Sequence, residues 1–506
     1  MFPNCKEIQE DYPLQSKIFG HRLKQSQSLY EYILEFLMVA FSKKKIGEKE
    51  YSEDELFPIN IDIDKQIEFY PNNNVGLKRF IFFEKSKQEG RYEYDAFAYK
   101  QHIKYIKNII EIESNSEFIN SKYVVELIQN LLYEFGAVIE NRSWFAQSLL
   151  PICKQTLTAE IMGTKSKRNK KIINEFDENY LSKVDCEFEA NRYNFMCRGG
   201  EVYYLHILKA INNYPQYRNQ LEEGFKKLIN QFEEFSELCE LIQKTWEDGS
   251  NAKPRKITKK LGTIPDGFSS REEYTLIELC NILNSDMHPF EKIEVISYGV
   301  IFQIIIMSYN QARYSSEKDQ GYLIFDINCY KGKSDEEIKK LATINYSVFE
   351  QDFFDALYNN LEGNIKEGKD IKQTIDSAID DSLKVYKKIG KKIGIIRPVN
   401  EKSTRFTINE KTLKFLVASV VRPNTKITLD RFLDKLYKHF NIVIAKEQYY
   451  SLNTDMNKVD VSFLDKNKND IQVMLKESGF LRELSDSTSI VENPYGNRGG
   501  QYEELY

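Results

Sequence analysis

The stretch VISYGVIFQIIIM, from Val295 to Met307, is the most restrictive feature of this 506-residue chain. A helix needs about 20 apolar residues to cross a bilayer, and Gly299 and Gln303 interrupt a run that is already shorter. The run therefore predicts a buried core helix, and no membrane span is expected. The apolar spacing elsewhere is helical too. SLYEYILEFLMVAF, residues 28–41, puts Tyr30, Ile33, Leu34, Leu37 and Met38 on one face. YVVELIQNLLYEFGAVIE, residues 123–140, does the same with Val124, Leu127, Ile128, Leu131 and Phe135. RNQLEEGFKKLINQFEEFSELCELIQKTW, residues 218–246, reads as one long amphipathic helix with an acidic outer face. Strand signals are confined to RFIFFEK around Phe80 and GYLIFDINCY at 321–330. The fold class expected is mainly α: a multidomain helical body with a C-terminal winged-helix-like α+β module.

A chain of this length supports about three domains. DGSNAKPRKITKKLGTIPDGFSS collects Gly, Pro and Ser without apolar periodicity, and IGKKIGIIRPVNEKS interrupts a helix with glycines and Pro398. These breaks divide the chain into a helical N-terminal domain (1–249), a linker (250–270) and a helical middle domain with a small β element (271–394). A winged-helix-like domain (395–495) and a polar tail (496–506) follow.

The winged-helix expectation rests on element order. EKTLKFLVASVV presents Leu413, Leu416, Val417 and Val420 as one face and is stopped by Pro423. Thr428 caps LDRFLDKLYKHF, where Leu429, Phe432, Leu433, Leu436, Tyr437 and Phe440 recur at helical spacing. A third helix, KNDIQVMLKES, starts at Lys468 and ends at Gly479. FLREL and SIVEN then form a ribbon around SDST. One departure is the long separation of the second and third helices, Asn441 to Lys466, where KEQYYSL predicts an extra helix; helix-turn-helix units are normally tighter. The plainer alternative is a helical subdomain ending in a hairpin.

If that module binds DNA, its third helix enters the major groove and its ribbon touches phosphates. The candidate contacts are Lys466, Lys468, Asn469, Gln472, Lys476 and Arg482, offset by Asp470, Glu477, Glu483 and Asp486. Upstream, KVYKKIGKKIGIIR adds Lys387, Lys388, Lys391 and Lys392 on a helix, or simply gives that helix a solvated face. TKSKRNKK (164–171) and KPRKITKK (253–260) read as basic loops. With a net charge of −5 and a pI near 5.9, no global field draws the chain to nucleic acid, so any such site is a local patch.

Signals for catalysis are sparse. The five histidines form no HxxxH, HxH or HExxH, and no phosphate-binding loop, dinucleotide fingerprint or nucleophile elbow is present. No cofactor and no metal are expected. Seven cysteines are dispersed without a CxxC pair, which predicts reduced thiols in a cytoplasmic protein and argues against a disulfide frame. The N-terminal residues lack a secretory pattern. The densest polar cluster is NRYNFMCRGGEVYYLH, where Arg198, Gly199 and Gly200 bend the chain and Glu201 opens a helix carrying Tyr204, His206 and Lys209. One reading makes Arg198 and His206 a nuclease pair of the helical HEPN type, with His206 as general acid or base. That motif spaces Arg and His by four to six residues; seven separate them here. The other reading makes His206 a satisfied partner inside a helical core. In ENRSWFAQSLLP, Asn141 is expected to cap a helix, with Trp144 and Leu149 inward and Arg142 and Gln147 polar.

NRSWFAQSLLP, NFMCRGGEVYYLH and GFLRELSDSTSIVENPY together resemble stretches of accessory proteins from bacterial phage-defence loci, of the methylation-associated and phosphorothioation-associated restriction systems. The resemblance implies a non-enzymatic subunit working beside modification enzymes and ATPases, and it carries over no site residues. The resulting expectation is a DNA-binding or scaffold subunit of an antiphage complex, with DNA and other subunits as partners. The alternatives are a HEPN-like nuclease effector and a purely protein-interacting subunit.

Overall fold

The computed structural model describes residues 1–4, 13–21, 23, 29–71, 74, 76–77, 80, 93–114, 120–133, 136–139, 142–148, 152–157, 199–250, 258–329, 334–361, 370–397, 403–452, 461–483, 489–496 and 501–502. The chain is mainly helical.

Helix α1 (Leu29–Ala40) is buried along nearly its whole length and packs on α2 (Gly199–Asn213). Gly199 and Gly200 permit that approach, because a Cβ on Gly200 would lie 2.2 Å from the Tyr32 carbonyl oxygen. Beside these helices lies an antiparallel sheet of β1 (Lys43–Ile46), β2 (Lys49–Tyr51), β3 (Ile67–Tyr70) and β4 (Lys259–Lys260), in the order β2-β1-β3-β4. Gly47, at φ +61°, makes the two-residue turn between β1 and β2. Residues 250–270, expected as a linker, thus supply the fourth strand, and their Phe268 is fully buried.

The long amphipathic run at 218–246 is two helices, Arg218–Ile229 and α3 (Glu233–Ser250). The break turns α3 towards a second core, where Cys239 and Ile242 pack with Leu77, Phe80, Tyr99, Ile106, Val125, Leu132 and Cys153. At the break, Phe232 meets Phe290 with ring centroids 5.2 Å apart. The helix expected over 123–140 spans Ser121–Tyr133, and Gly136–Ile139 pairs antiparallel with Arg142–Ser148. Gly136 and the β-branched Val138 and Ile139 favour strand there, so Asn141 has no helix to cap. The buried face of that helix is also rotated from expectation: Val125 and Leu132 are inward, while Tyr123, Leu127 and Leu131 are exposed. Phe80 is helical, and the rest of RFIFFEK lies outside the described residues.

Helix α4 (Glu272–Leu283) leads to α5 (Pro289–Tyr314), which contains the apolar run. Every residue from Val295 to Met307 is buried. Packed against α5 are α1, α2, α4, α6 (Glu336–Asn359), α7 (Leu383–Lys392) and α8 (Glu410–Val420). Both interruptions of the run have a role: a Cβ on Gly299 would lie 2.4 Å from the Phe415 ring, and Gln303 enters a polar cluster described below. GYLIFDINCY is strand only at Leu323–Ile324, followed by a 3-10 turn over Ile327–Cys329.

In the C-terminal part, α8 is followed by β5 (Thr425–Thr428), α9 (Leu429–Phe440), a short helix at Lys446–Tyr450, α10 (Phe463–Glu477), β6 (Leu481–Glu483) and β7 (Ser489–Glu492). Asn409 caps α8 through Thr412 N–H (2.8 Å), and Thr428 caps α9 through Arg431 N–H (3.3 Å). The ribbon is antiparallel, and β5 pairs antiparallel with β7, so the order is β6-β7-β5. One hydrophobic cluster includes Phe2, Leu37, Ile305, Phe440 and Val491, so the three segments expected as domains share a core.

Candidate nucleic-acid interface and a buried polar cluster

Helix α10 has one inward face, Leu464, Asn467, Ile471 and Leu475. Asn467 ties it to the body, donating to the carbonyls of Phe325 and Ile444 (both 2.8 Å) and accepting from Ile327 N–H (3.1 Å). The opposite face exposes Lys466, Asn469, Val473 and Lys476 at three- and four-residue spacing, with Gln472 half-buried beside them. The structure thus gathers four of the sequence candidates along one helix, with Arg482 on the adjoining β6.

Each of the basic candidates there has an acidic partner in the chain. Lys466 pairs with Asp335 (3.1 Å), Lys468 with Asp430 (2.5 Å) and Glu447 (3.6 Å), Lys476 with Glu483 (2.7 Å), and Arg482 with Glu492 (2.6 Å). Lys476 holds the Glu483 carboxyl below its ordinary range, and Lys466 does the same for Asp335. Exposed pairs of this kind contribute about 0–1 kcal/mol, so a phosphate can displace them at small cost.

The other lysine group sits on α7. Lys387 pairs with Glu350 of α6, while Lys388 and Lys392 are exposed. Lys466 is anchored at Asp335, the N-cap of α6. The two anchors lie 15 residues apart (350 − 335) along α6, about 22 Å at helical rise. Lys387 and Lys466 are therefore held at separate points on the body.

His206 points into the main core and is fully buried. Its Nε2 lies 3.1 Å from Thr275 Oγ1, and its ring meets Phe268 edge-on. Burial, reinforced by Arg271 and Lys209, pushes its pKa down to about 3. It is a neutral packing group out of reach of a substrate, and Arg198 lies outside the described residues. Glu201 and the glycines before it serve helix contact. Gly200 N–H donates to Glu35 (2.9 Å), while Glu201 accepts from Gly262 N–H (2.7 Å) and pairs with Lys259 (3.3 Å). Arg142, Trp144 and Gln147 fall on the strand Arg142–Ser148.

Near His206 is a polar cluster that sequence reasoning missed. Arg271 and Glu278 are buried, and Arg271 Nη2 donates to both carboxylate oxygens (2.9 and 2.7 Å). Gln303 donates its amide to Glu278, and the Tyr203 hydroxyl donates to Gln303 Oε1 (2.5 Å). His439 Nδ1 meets Glu278 Oε1 at 2.8 Å, and the guanidinium lies 4.6 Å from the Phe440 ring centroid. Helices α2, α4, α5 and α9 thereby converge on one carboxylate. The trace in the sequence is Gln303 itself, since a buried amide requires partners.

Among the described residues, no group of three His, Cys, Asp or Glu side chains is placed to hold a metal ion, and no helix is long and apolar enough to cross a membrane. No family model, curated protein or solved structure matches the chain.

Proposed function

We propose that this chain is a non-enzymatic DNA-binding or scaffold subunit, in which residues 410–495 act as a winged helix. The observation that carries the reading is the pairing of β5, the strand after the first helix, with β7, the last strand of the ribbon. A winged helix uses this order, with α10 as the groove-facing helix and β6–β7 as the wing. Lys466, Asn469, Gln472 and Lys476 would then face the duplex, and Arg482 would sit on a phosphate. A bacterial antiphage complex is the setting suggested by the three stretches quoted above. Hydrogen exchange on the full chain, with and without duplex DNA, tests the assignment. Protection is expected over α10 and β6, and protection confined to other surfaces would count against it.

A second reading, a protein-docking subunit, is favoured by the internal pairing of the basic groups around α10 and by Val473, which is 48% exposed near the middle of its face. It predicts that a stoichiometric partner co-purifies and is lost on Val473→Asp, with no retention of DNA. The nuclease reading finds no support in the placement of His206.

A further inference from the structure

Cys153 and Cys239 are both fully buried in the second core. They belong to separate elements 86 residues apart (239 − 153), Cys153 opening the 3-10 turn Lys154–Thr156 and Cys239 lying within α3. That turn is pinned to α3: the Ser236 hydroxyl, one helical turn before Cys239, donates to Gln155 Oε1 at 2.6 Å. The turn is also closed on itself, with Cys153 N–H donating to Thr156 Oγ1 (3.1 Å) and the Thr156 hydroxyl to the Cys153 carbonyl (2.8 Å). The Cys239 thiol hydrogen-bonds the Cys153 sulfur, which the backbone N–H groups of Thr156 and Gln155 also approach. Converging N–H groups form a small anion-binding nest.

We propose that Cys153 and Cys239 form a reversible disulfide, with Cys153 the attacking thiolate and Cys239 the resolving thiol. The contact with Cys239, opposed by burial and aided by the two N–H groups, brings the Cys153 thiol down to about 7. The same contact and burial push Cys239 up. Cys280 shows the contrast, since burial alone drives its thiol up to about 12.

The oxidant is a peroxide small enough to enter a packed core during local opening. The Cys153 thiolate attacks one peroxide oxygen, the S–O bond forms as the O–O bond breaks, and the departing hydroxide takes a proton to become water. The Cys239 sulfur then attacks the sulfenic sulfur, the S–S bond forms, and the S–O oxygen leaves with two protons as a second water. Two thiols and one peroxide thus give one disulfide and two waters. The bond would staple the Lys154–Thr156 turn to α3, and a thiol reductant would reverse it.

The test treats the reduced full chain with hydrogen peroxide, blocks remaining thiols by alkylation and maps a non-reducing digest by mass spectrometry. A peptide linking Cys153 to Cys239, abolished by reductant, is expected in the wild-type chain. In Cys239→Ser the oxidation should stop at a sulfenic acid on Cys153 that dimedone traps. The proposal is overturned if both thiols remain alkylatable while the half-exposed Cys329 oxidises, or if Cys153 links to any other cysteine. The wild-type map decides the matter even if a serine variant fails to fold.

Discussion

His206 illustrates how surroundings define a residue's chemistry. Enclosed by Thr275, Phe268 and Tyr203 and facing the Arg271 charge, it stays neutral in the folded chain down to about pH 3. Unfolded, it titrates near 6.5. Between these values the unfolded state binds more protons, so this group's contribution lowers stability as pH falls and restores it as pH rises. His206→Gln, which can keep a hydrogen bond to Thr275, should remove that dependence. The slope of unfolding free energy against pH, measured by denaturant titration between pH 4.5 and 6, should be shallower in the variant by up to about 1.4 kcal/mol per pH unit. An unchanged slope would mean that the histidine is not held neutral. The sequence could present His206 on a helix, but its environment comes from residues more than sixty positions downstream, so spacing alone could not separate the catalytic from the packed reading.

At the scale of elements, legibility follows the range of the deciding interaction. Thr428, Asn409 and Gly479 act within a few residues of themselves, and the helices they bound appear where their periodicity and caps place them. The break before α3 and the strand at Gly136–Ile139 were not legible, because an amphipathic pattern does not say which of two cores it serves. Lys259 and Arg271 were hidden for a related reason. They lie in a Gly- and Pro-containing stretch that reads as a linker, yet both are buried against acids supplied by other elements. The glycine pair opening α2 gives a direct test of this level. Gly200→Ala places a methyl group against the Tyr32 carbonyl and Phe36 N–H, at 2.2 and 2.4 Å. It should destabilise the chain by about 1–3 kcal/mol, the usual range for overpacking, read as a lower urea midpoint. A neutral result would mean that α1 and α2 are less closely packed than described.

Across the whole molecule, the C-terminal elements are built into the body. Phe302 of α5 packs against Phe415 of α8 and Phe440 of α9, while His439 reaches the carboxylate that Arg271 neutralises. Glu278→Ala would leave the Arg271 charge buried without its partner, a change that typically costs about 3–5 kcal/mol. Lys476→Ala, which breaks an exposed pair, should stay within about 0.5 kcal/mol of wild type. Chemical denaturation of both variants checks the contrast, and comparable losses would contradict the buried clamp. The account's central claim is that the proposed winged helix grips DNA through α10 and the ribbon. Its most direct test is the dissociation constant of the full chain for labelled duplex across a salt series. Contacts from Lys466, Lys468, Lys476 and Arg482 predict a log–log slope of roughly 3–4. Replacing Lys466, Lys476 and Arg482 together with alanine should cut that slope by about 3, one unit for each phosphate no longer neutralised. A slope that survives the triple substitution, or no binding at low salt by the folded chain, would contradict the claim.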